Sequence, residues 1–320
     1  MSPDILSRPG FSAAPKFNQP MPIIVGAGRS GTTLLRLMLD AHSELAITHE
    51  AGFIPMVSNL TNPRSRMFYR RLLNIAKHRR WADSLREEFY RTVTQMENWN
   101  DFHLSRALFK QALLRIEPFT IAEGCRTFFR LYAERFNEPR WGDKTPFYQR
   151  YLRAIENVLP EAHFIHIIRD GRDVALSGRG LSFVSGDLET MARNWTREIL
   201  LTRMQARACR HYLEVRYEDL VLSTTETLKR ICQFIDLQYE PGMENYYLNA
   251  VERLDELGDT YNRDGTVSVS KESRLQRHQL TAQPPEPRRI GRWRTEMSKD
   301  ELSTFNKPAG KLLQELGYDV

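Results

Sequence analysis

The sequence predicts an α/β protein: a parallel sheet flanked by helices, with a phosphate-binding type of loop after its first strand and a helical insertion. Three observations predict it. Ile23-Ile24-Val25 is a short apolar run that ends in a Gly-rich turn, after which Leu34, Leu35, Leu37, Met38 and Leu39 begin a helical pattern. His163-Phe164-Ile165-His166-Ile167-Ile168 is a second buried-strand pattern, and it gives way at Arg169-Asp170-Gly171-Arg172-Asp173 to another helix. Helical segments separate the strand patterns, so the strands must be joined by crossovers and lie parallel.

Taken in order, residues 1–20 hold four prolines and little periodicity, and are expected to form a flexible N-terminal arm before a single domain over 21–320. Leu45 to His49 reads as a short strand ending at Glu50. Residues 56–138 show no strand pattern. Phe68, Leu72, Leu73 and Ile75, then Leu104, Leu108, Leu113 and Leu114, fall at helical spacing, which predicts a helical insertion over one side of the sheet. Arg140 to Lys144 reads as a strand, Tyr148 to Leu159 as a helix, Leu188 to His211 as a long helix, and Leu213 to Tyr217 as a strand. Thr224 to Ile235 is helical, and Tyr239 to Asp259 helical but irregular. Residues 263–287 are polar and Pro-rich at their end, the pattern of a long mobile loop beside substrate and cofactor. Lys299 to Leu316 is a closing amphipathic helix, and no internal repeat is present.

Apolar residues make up 41% of the chain and charged residues 27%, the balance of an ordinary soluble protein. With 46 basic and 40 acidic residues the net charge is +6, a mixed surface that suits an anionic small ligand and does not point to nucleic acid. Cys125, Cys209 and Cys232 lack metal-ligand spacing and are too few for a disulfide framework. The sequence shows no signal pattern and no apolar run of membrane-spanning length, so the expectation is a cytoplasmic protein with no membrane span. Oligomeric state is not legible, and a homodimer stays open.

Gly26-x-x-x-x-Gly31-Thr32-Thr33 keeps the frame of a phosphate-binding loop, in which backbone N–H groups and a helix N-terminus cradle phosphate oxygens. Thr32 stands where the lysine that reaches a γ-phosphate belongs, so a triphosphate clamp is not expected. The positive charge has moved to Arg29, whose planar fork suits an oxyanion. The glycine pattern alone would also fit an ordinary strand-to-helix turn. The whole string is more specific.

Gly28-Arg29-Ser30-Gly31-Thr32-Thr33-Leu34 resembles the 5′-phosphosulfate loop of sulfotransferases that use 3′-phosphoadenylyl sulfate (PAPS). The resemblance implies a parallel sheet of about five strands, PAPS as the co-substrate, 3′-phosphoadenosine 5′-phosphate as its product, and no metal requirement. In that family an arginine at a strand end and a serine eight residues on bind the donor's 3′-phosphate, and Arg169 and Ser177 match that spacing. For Arg169 alone, an ion pair with Asp170 or Asp173 is the alternative. Tyr217 in Arg216-Tyr217-Glu218-Asp219-Leu220 is similar to the family's tyrosine near the adenine, or is an aromatic capping the sheet. Arg288-Arg289-Ile290-Gly291-Arg292-Trp293-Arg294 resembles the basic loop that closes on the 3′-phosphate. It departs from the commoner Arg-Lys-Gly form, which leaves open whether Arg288 or Arg289, beside Gly291, makes the contact. Trp195 belongs either to the nucleotide pocket or to the core.

Sulfuryl transfer is an in-line displacement that needs positioning, a positive field and one base for the acceptor hydroxyl. Arg29 supplies part of the field. Lys144, before Thr145-Pro146-Phe147, resembles the catalytic lysine of tyrosylprotein sulfotransferases; an ion pair with Asp143 is its alternative. Aryl and steroid sulfotransferases use a histidine in a Lys-Thr-His run, and Pro146 takes that place here. Tyrosylprotein sulfotransferases and several bacterial carbohydrate enzymes use a glutamate after the second strand. Glu50 matches it, with Phe53-Ile54-Pro55 following, and His49 is the second candidate base.

The expected function is transfer of a sulfuryl group from PAPS to a hydroxyl of a carbohydrate, lipid or small molecule rather than a peptide tyrosine. The alternatives are a nucleotide or small-molecule kinase on a degenerate loop, and a non-catalytic nucleotide-binding module. Arg64, Arg66, Arg70, Arg71, Arg79 and Arg80, with Phe68, Tyr69 and Trp81, are candidates for the acceptor surface, or else the solvated face of helices.

Overall fold

The computed structural model describes residues 19–61, 78–179, 186–262 and 264–320. The arm expected over 1–20, apart from Gln19 and Pro20, lies outside the described residues, as do Arg64, Arg66, Phe68, Tyr69, Arg70 and Arg71 and the side chains of Arg79, Arg80 and Trp81.

Met21–Val25 (β1) is buried at every position, as an apolar strand covered on both faces must be, and leads through the Gly-rich loop into Thr32–Asp40 (α1). Leu45–His49 (β2) follows. Next come Ile54–Ser58 (α2), His78–Thr94 (α3), Arg106–Leu114 (α4) and Ile121–Glu134 (α5). Thr120 caps the last of these by accepting from the Glu123 amide. Then Arg140–Lys144 (β3), Leu152–Val158 (α6), Ala162–Ile168 (β4), Gly171–Gly178 (α7), Leu188–Ala206 (α8) and Tyr212–Arg216 (β5) complete the main sheet.

The five strands pair in the order β2-β3-β1-β4-β5, every pair parallel. Alternate side chains of β1 feed different cores. Ile23 and Val25 pack with the helical insertion, where Phe53, Phe102 and Phe128 meet edge to face at 4.8–5.0 Å. Ile24 packs with Leu35, Ile47, Ile165 and Val215 on the other side. All five strand ends point to one edge, where open α/β sheets bind their ligands.

The rest of the chain wraps that edge. Tyr217–Leu222 (α9), Thr224–Phe234 (α10) and Ala250–Asp255 (α11) lead to a hairpin of Thr260–Tyr261 (β6) and Val267–Val269 (β7). Lys271–His278 (α12), Trp293–Glu296 (α13) and Lys299–Glu315 (α14) follow, the last opened by a capping box of Ser298 and Glu301.

Four expectations are revised. Tyr148 to Leu159 splits into a 3₁₀ turn and α6 at Tyr151, and α8 stops at Ala206 rather than His211. Tyr217 starts a helix instead of ending a strand. The segment 263–287, expected as a loop, carries β7 and α12. α12 buries no residue fully, so it has no apolar stripe to read; ion pairs hold it instead. No helix of the described residues is long and apolar enough to cross a membrane.

Candidate active site

The Gly-rich loop is shaped by contacts that exclude side chains. A Cβ on Gly26 would meet the Ile167 carbonyl oxygen at 2.5 Å, and one on Gly31, at φ 98°, would meet the Tyr217 ring at 2.5 Å. Arg29 itself has φ 70°, a left-handed conformation that turns its side chain across the loop. Its Nε donates to Ser177 Oγ at 3.2 Å and its Nη1 to the Arg277 carbonyl at 3.4 Å. Arg169, at the end of β4, donates to the Arg29 carbonyl at 3.3 Å and the Arg289 carbonyl at 2.8 Å. Its guanidinium lies 4.4 Å over the Tyr217 ring. Burial first, then the charges of Arg169, Arg289 and Arg277, lower the Arg29 pKa. Cations crowd here.

The structure settles which neighbours of this cluster face the cleft. Arg289 lines it, whereas Arg288 is largely solvent-exposed and pairs with Glu286 at 2.7 Å. Gly291 contributes its amide to Asp173 at 2.7 Å; with the Trp293 amide on the same carboxylate, this ties the basic loop to α7. Trp195 is core, its Nε1 donating to the Arg169 carbonyl at 3.1 Å. Ser30 is buried in the loop rather than lining the cleft, while Gly28, Thr32 and Thr33 reach it.

At the other end stand the base candidates. Lys144 Nζ donates to Glu50 Oε1 at 2.7 Å, with the lysine side chain wholly buried and the glutamate 40% exposed. Asp143 is not the lysine's partner, because its oxygens accept from Thr48 Oγ1, the Ala51 amide and Thr145 Oγ1. Those bonds hold the turn in which Glu50 takes φ 54°, and Asn98 Nδ2 anchors the Glu50 carbonyl at 2.8 Å. Burial pushes the Asp143 carboxyl up to about 6 and lowers the Lys144 pKa, against the pull of Glu50. Asp143→Ala is expected to cost about 2 kcal/mol of stability by orphaning the Ala51 amide, which urea unfolding would read.

The two ends share one cleft of about 380 Å³. Residues 20–241 match the Sulfotransferase family. The chain belongs to that family. Among curated relatives it is 26% identical to Protein-tyrosine sulfotransferase A of Caenorhabditis elegans, over 70% of this chain and 52% of that one. It is 25% identical to the Drosophila melanogaster protein-tyrosine sulfotransferase, over 95% of this chain and 53% of that one. The chain thus spans about half the length of these relatives. The fold is shared with the sulfotransferase domain of the Synechococcus PCC 7002 olefin synthase, at TM-score 0.56 and 22% identity over 95% of this chain and 96% of that one. The sulfotransferase domain of the curacin biosynthetic pathway superposes at TM-score 0.55, with 17% identity, covering 94% and 99%.

Within this sulfotransferase fold, the residues that the sequence resemblance missed come from α12 and the turn after it. Arg274, Arg277, His278, Leu280 and Thr281 cover the cleft between the loop and Glu50. No motif marks them, and their placement depends on Asp101, which Arg274 grips at 2.6 and 2.9 Å. His49 is buried, with neither ring nitrogen hydrogen-bonded, and its Nε2 is 4.0 Å from Glu50. Burial, then Lys144 and His278, holds it well below the usual imidazole range. Burial and Lys144 push His278 down to about 3. Neither ring should therefore change charge between about pH 5 and 8, and flat imidazole ¹H and ¹³C shifts across that range would show it.

Proposed function

We propose that the protein transfers the sulfuryl group of PAPS to a hydroxyl of an acceptor, with Glu50 as the base and Lys144 and Arg29 as cations of the transfer centre. The observation that carries this reading is the 2.7 Å Lys144–Glu50 contact, in which the buried lysine backs a glutamate that lines the same cleft as Arg29, Arg169 and Arg289. PAPS fits the residues present. Arg29 has no carboxylate partner among the described residues, and Arg169 Nε is buried without a hydrogen bond, the donor set of an anion site. When bound, PAPS supplies an activated sulfate. The loop amides from Gly28 to Thr33, with the Thr32 and Thr33 hydroxyls, then hold its 5′-phosphosulfate end. Arg169, Ser177 and Arg289 hold the 3′-phosphate, and Tyr217 flanks the base.

Glu50, open to the cleft, takes the proton of the acceptor hydroxyl as that oxygen attacks sulfur. The bond from sulfur to the bridging oxygen breaks, and its electron pair leaves on the phosphate beside Lys144. His49 is the weaker candidate because both of its nitrogens are sealed from solvent. The acceptor classes are a carbohydrate, lipid or small molecule, and a peptide tyrosine, which the names of the curated relatives favour.

The first test is cheap. 3′-Phosphoadenosine 5′-phosphate should raise the melting temperature, by the equivalent of about 2.7 kcal/mol at a hundred times its Kd, while ATP with Mg²⁺ should not. The reverse pattern would favour a kinase. Binding with no transfer of labelled sulfate to any acceptor would leave a nucleotide-binding module.

A further inference from the structure

We propose that His278 is a further catalytic residue of the transfer site, its ring N–H placed to hydrogen-bond an oxygen of the sulfuryl group as that group passes from donor to acceptor. The inference rests on the function proposed above and names a residue that the motif reading does not contain.

Position is the first argument. His278 is the last residue of α12 and lines the cleft together with Arg29 and Glu50. The positive charges it feels most are those of Lys144 and then Arg29, the two cations assigned to the transfer centre. The second argument is an unmet hydrogen bond. Neither nitrogen of the His278 ring has a hydrogen-bond partner among the described residues, and the ring packs edge to face against His49 at 5.5 Å. The ring is half-buried and its nitrogens open onto the cleft, so a ligand bound there can supply the missing partner. His49 is not the contact itself, because both of its nitrogens are sealed from solvent. It is the wall that fixes the His278 ring.

The chemistry selects the role. A ring that stays neutral to about pH 3 is too weak a base to compete with Glu50 for the acceptor's proton, but it keeps one N–H to donate. Donors held rigidly at oxygens that gain charge are among the strongest catalytic devices available to a protein. Here the bond from sulfur to the bridging oxygen breaks, the bond from sulfur to the acceptor oxygen forms, and the proton goes to Glu50. His278 loses nothing and only strengthens its hydrogen bond. Rigidity comes from the anchoring of α12: Arg274 grips Asp101, and Lys271 Nζ meets Asp255 at 2.6 Å while its amide meets Asp259 at 2.6 Å.

The experiment compares wild type, His278→Phe, which keeps a ring against His49, and His278→Gln, which restores an N–H. Calorimetry would give the affinity for 3′-phosphoadenosine 5′-phosphate. Labelled PAPS would give kcat and KM with a tyrosine-bearing peptide, methyl α-glucoside and p-nitrophenol as acceptors. Phe is expected to lower kcat by about 10²-fold with product affinity and acceptor KM within about threefold, and Gln to recover most of the loss. A Phe variant with wild-type kcat, a loss confined to KM, or a Gln variant as slow as Phe would each overturn the assignment. A wild-type protein that binds no 3′-phosphoadenosine 5′-phosphate, or transfers no sulfate, sinks the proposed function itself, and the inference falls with it.

Discussion

Glu50→Gln is expected to lower kcat by about 10²–10⁴-fold while leaving the affinity for 3′-phosphoadenosine 5′-phosphate close to wild type. The amide keeps the size and the hydrogen-bonding shape of the side chain but cannot accept the acceptor's proton. A second effect adds to the first. Glu50 is the ion-pair partner of a lysine that is otherwise sealed in the protein, and its charge opposes the downward push of burial on that lysine. Removing it leaves Lys144 with less reason to stay protonated, so the variant loses its base and weakens its cation together. The stability cost should be about 1–2 kcal/mol, below that of a fully buried pair because Glu50 is partly hydrated. Steady-state kinetics and urea unfolding measure the two effects separately. Near-native turnover in Glu50→Gln, with turnover lost in His49→Ala, would move the base to the histidine.

Lys144→Met is expected to cost about 10²–10³-fold in kcat, the range for one well-placed electrostatic group. Methionine fills the buried stem volume, and the glutamate it abandons is exposed enough to be solvated by water, so this variant should be the more stable of the two. The double variant tests whether the pair works as a unit. If Glu50 and Lys144 act on the same displacement, Glu50→Gln with Lys144→Met should be little slower than the worse single change. Losses that multiply would mean that the two residues act on separate steps.

The strands and the loop were legible because their signals are local. Ile23 to Val25 and His163 to Ile168 are apolar runs that only a sheet covered on both faces can bury, and the Gly-rich turn between β1 and α1 carries its conformational demands in its own residues. Arg29, Arg169, Ser177, Tyr217, His49 and Glu50 were found from motifs, and all line one cleft. The Lys144–Glu50 pair joins residues 94 positions apart, so the sequence shows no partner for the lysine beyond its neighbour Asp143, which it offers as an alternative. α12 was illegible for a similar reason. Its hold on the protein runs through Arg274 to Asp101, 173 positions away, and a helix fixed by charges shows no hydrophobic period. Arg288 and Arg289 are adjacent in sequence, and only the turn at Pro287–Arg289 decides that one faces solvent and the other the cleft.

The strand order also bears on how the chain is made. β1 and its loop are made well before either neighbouring strand: Ile24 meets Lys144, 144 − 24 = 120 positions on, and Ile165 on its other side. A nascent chain ending before β3 therefore holds Ile23-Ile24-Val25 with no strand to cover it, and closing so long a loop makes the central pairing slow. Until then that apolar segment is available to chaperones and to other unfinished chains. A stall in translation between α5 and β4 should thus be more aggregation-prone than one placed after β5, where the sheet is already whole.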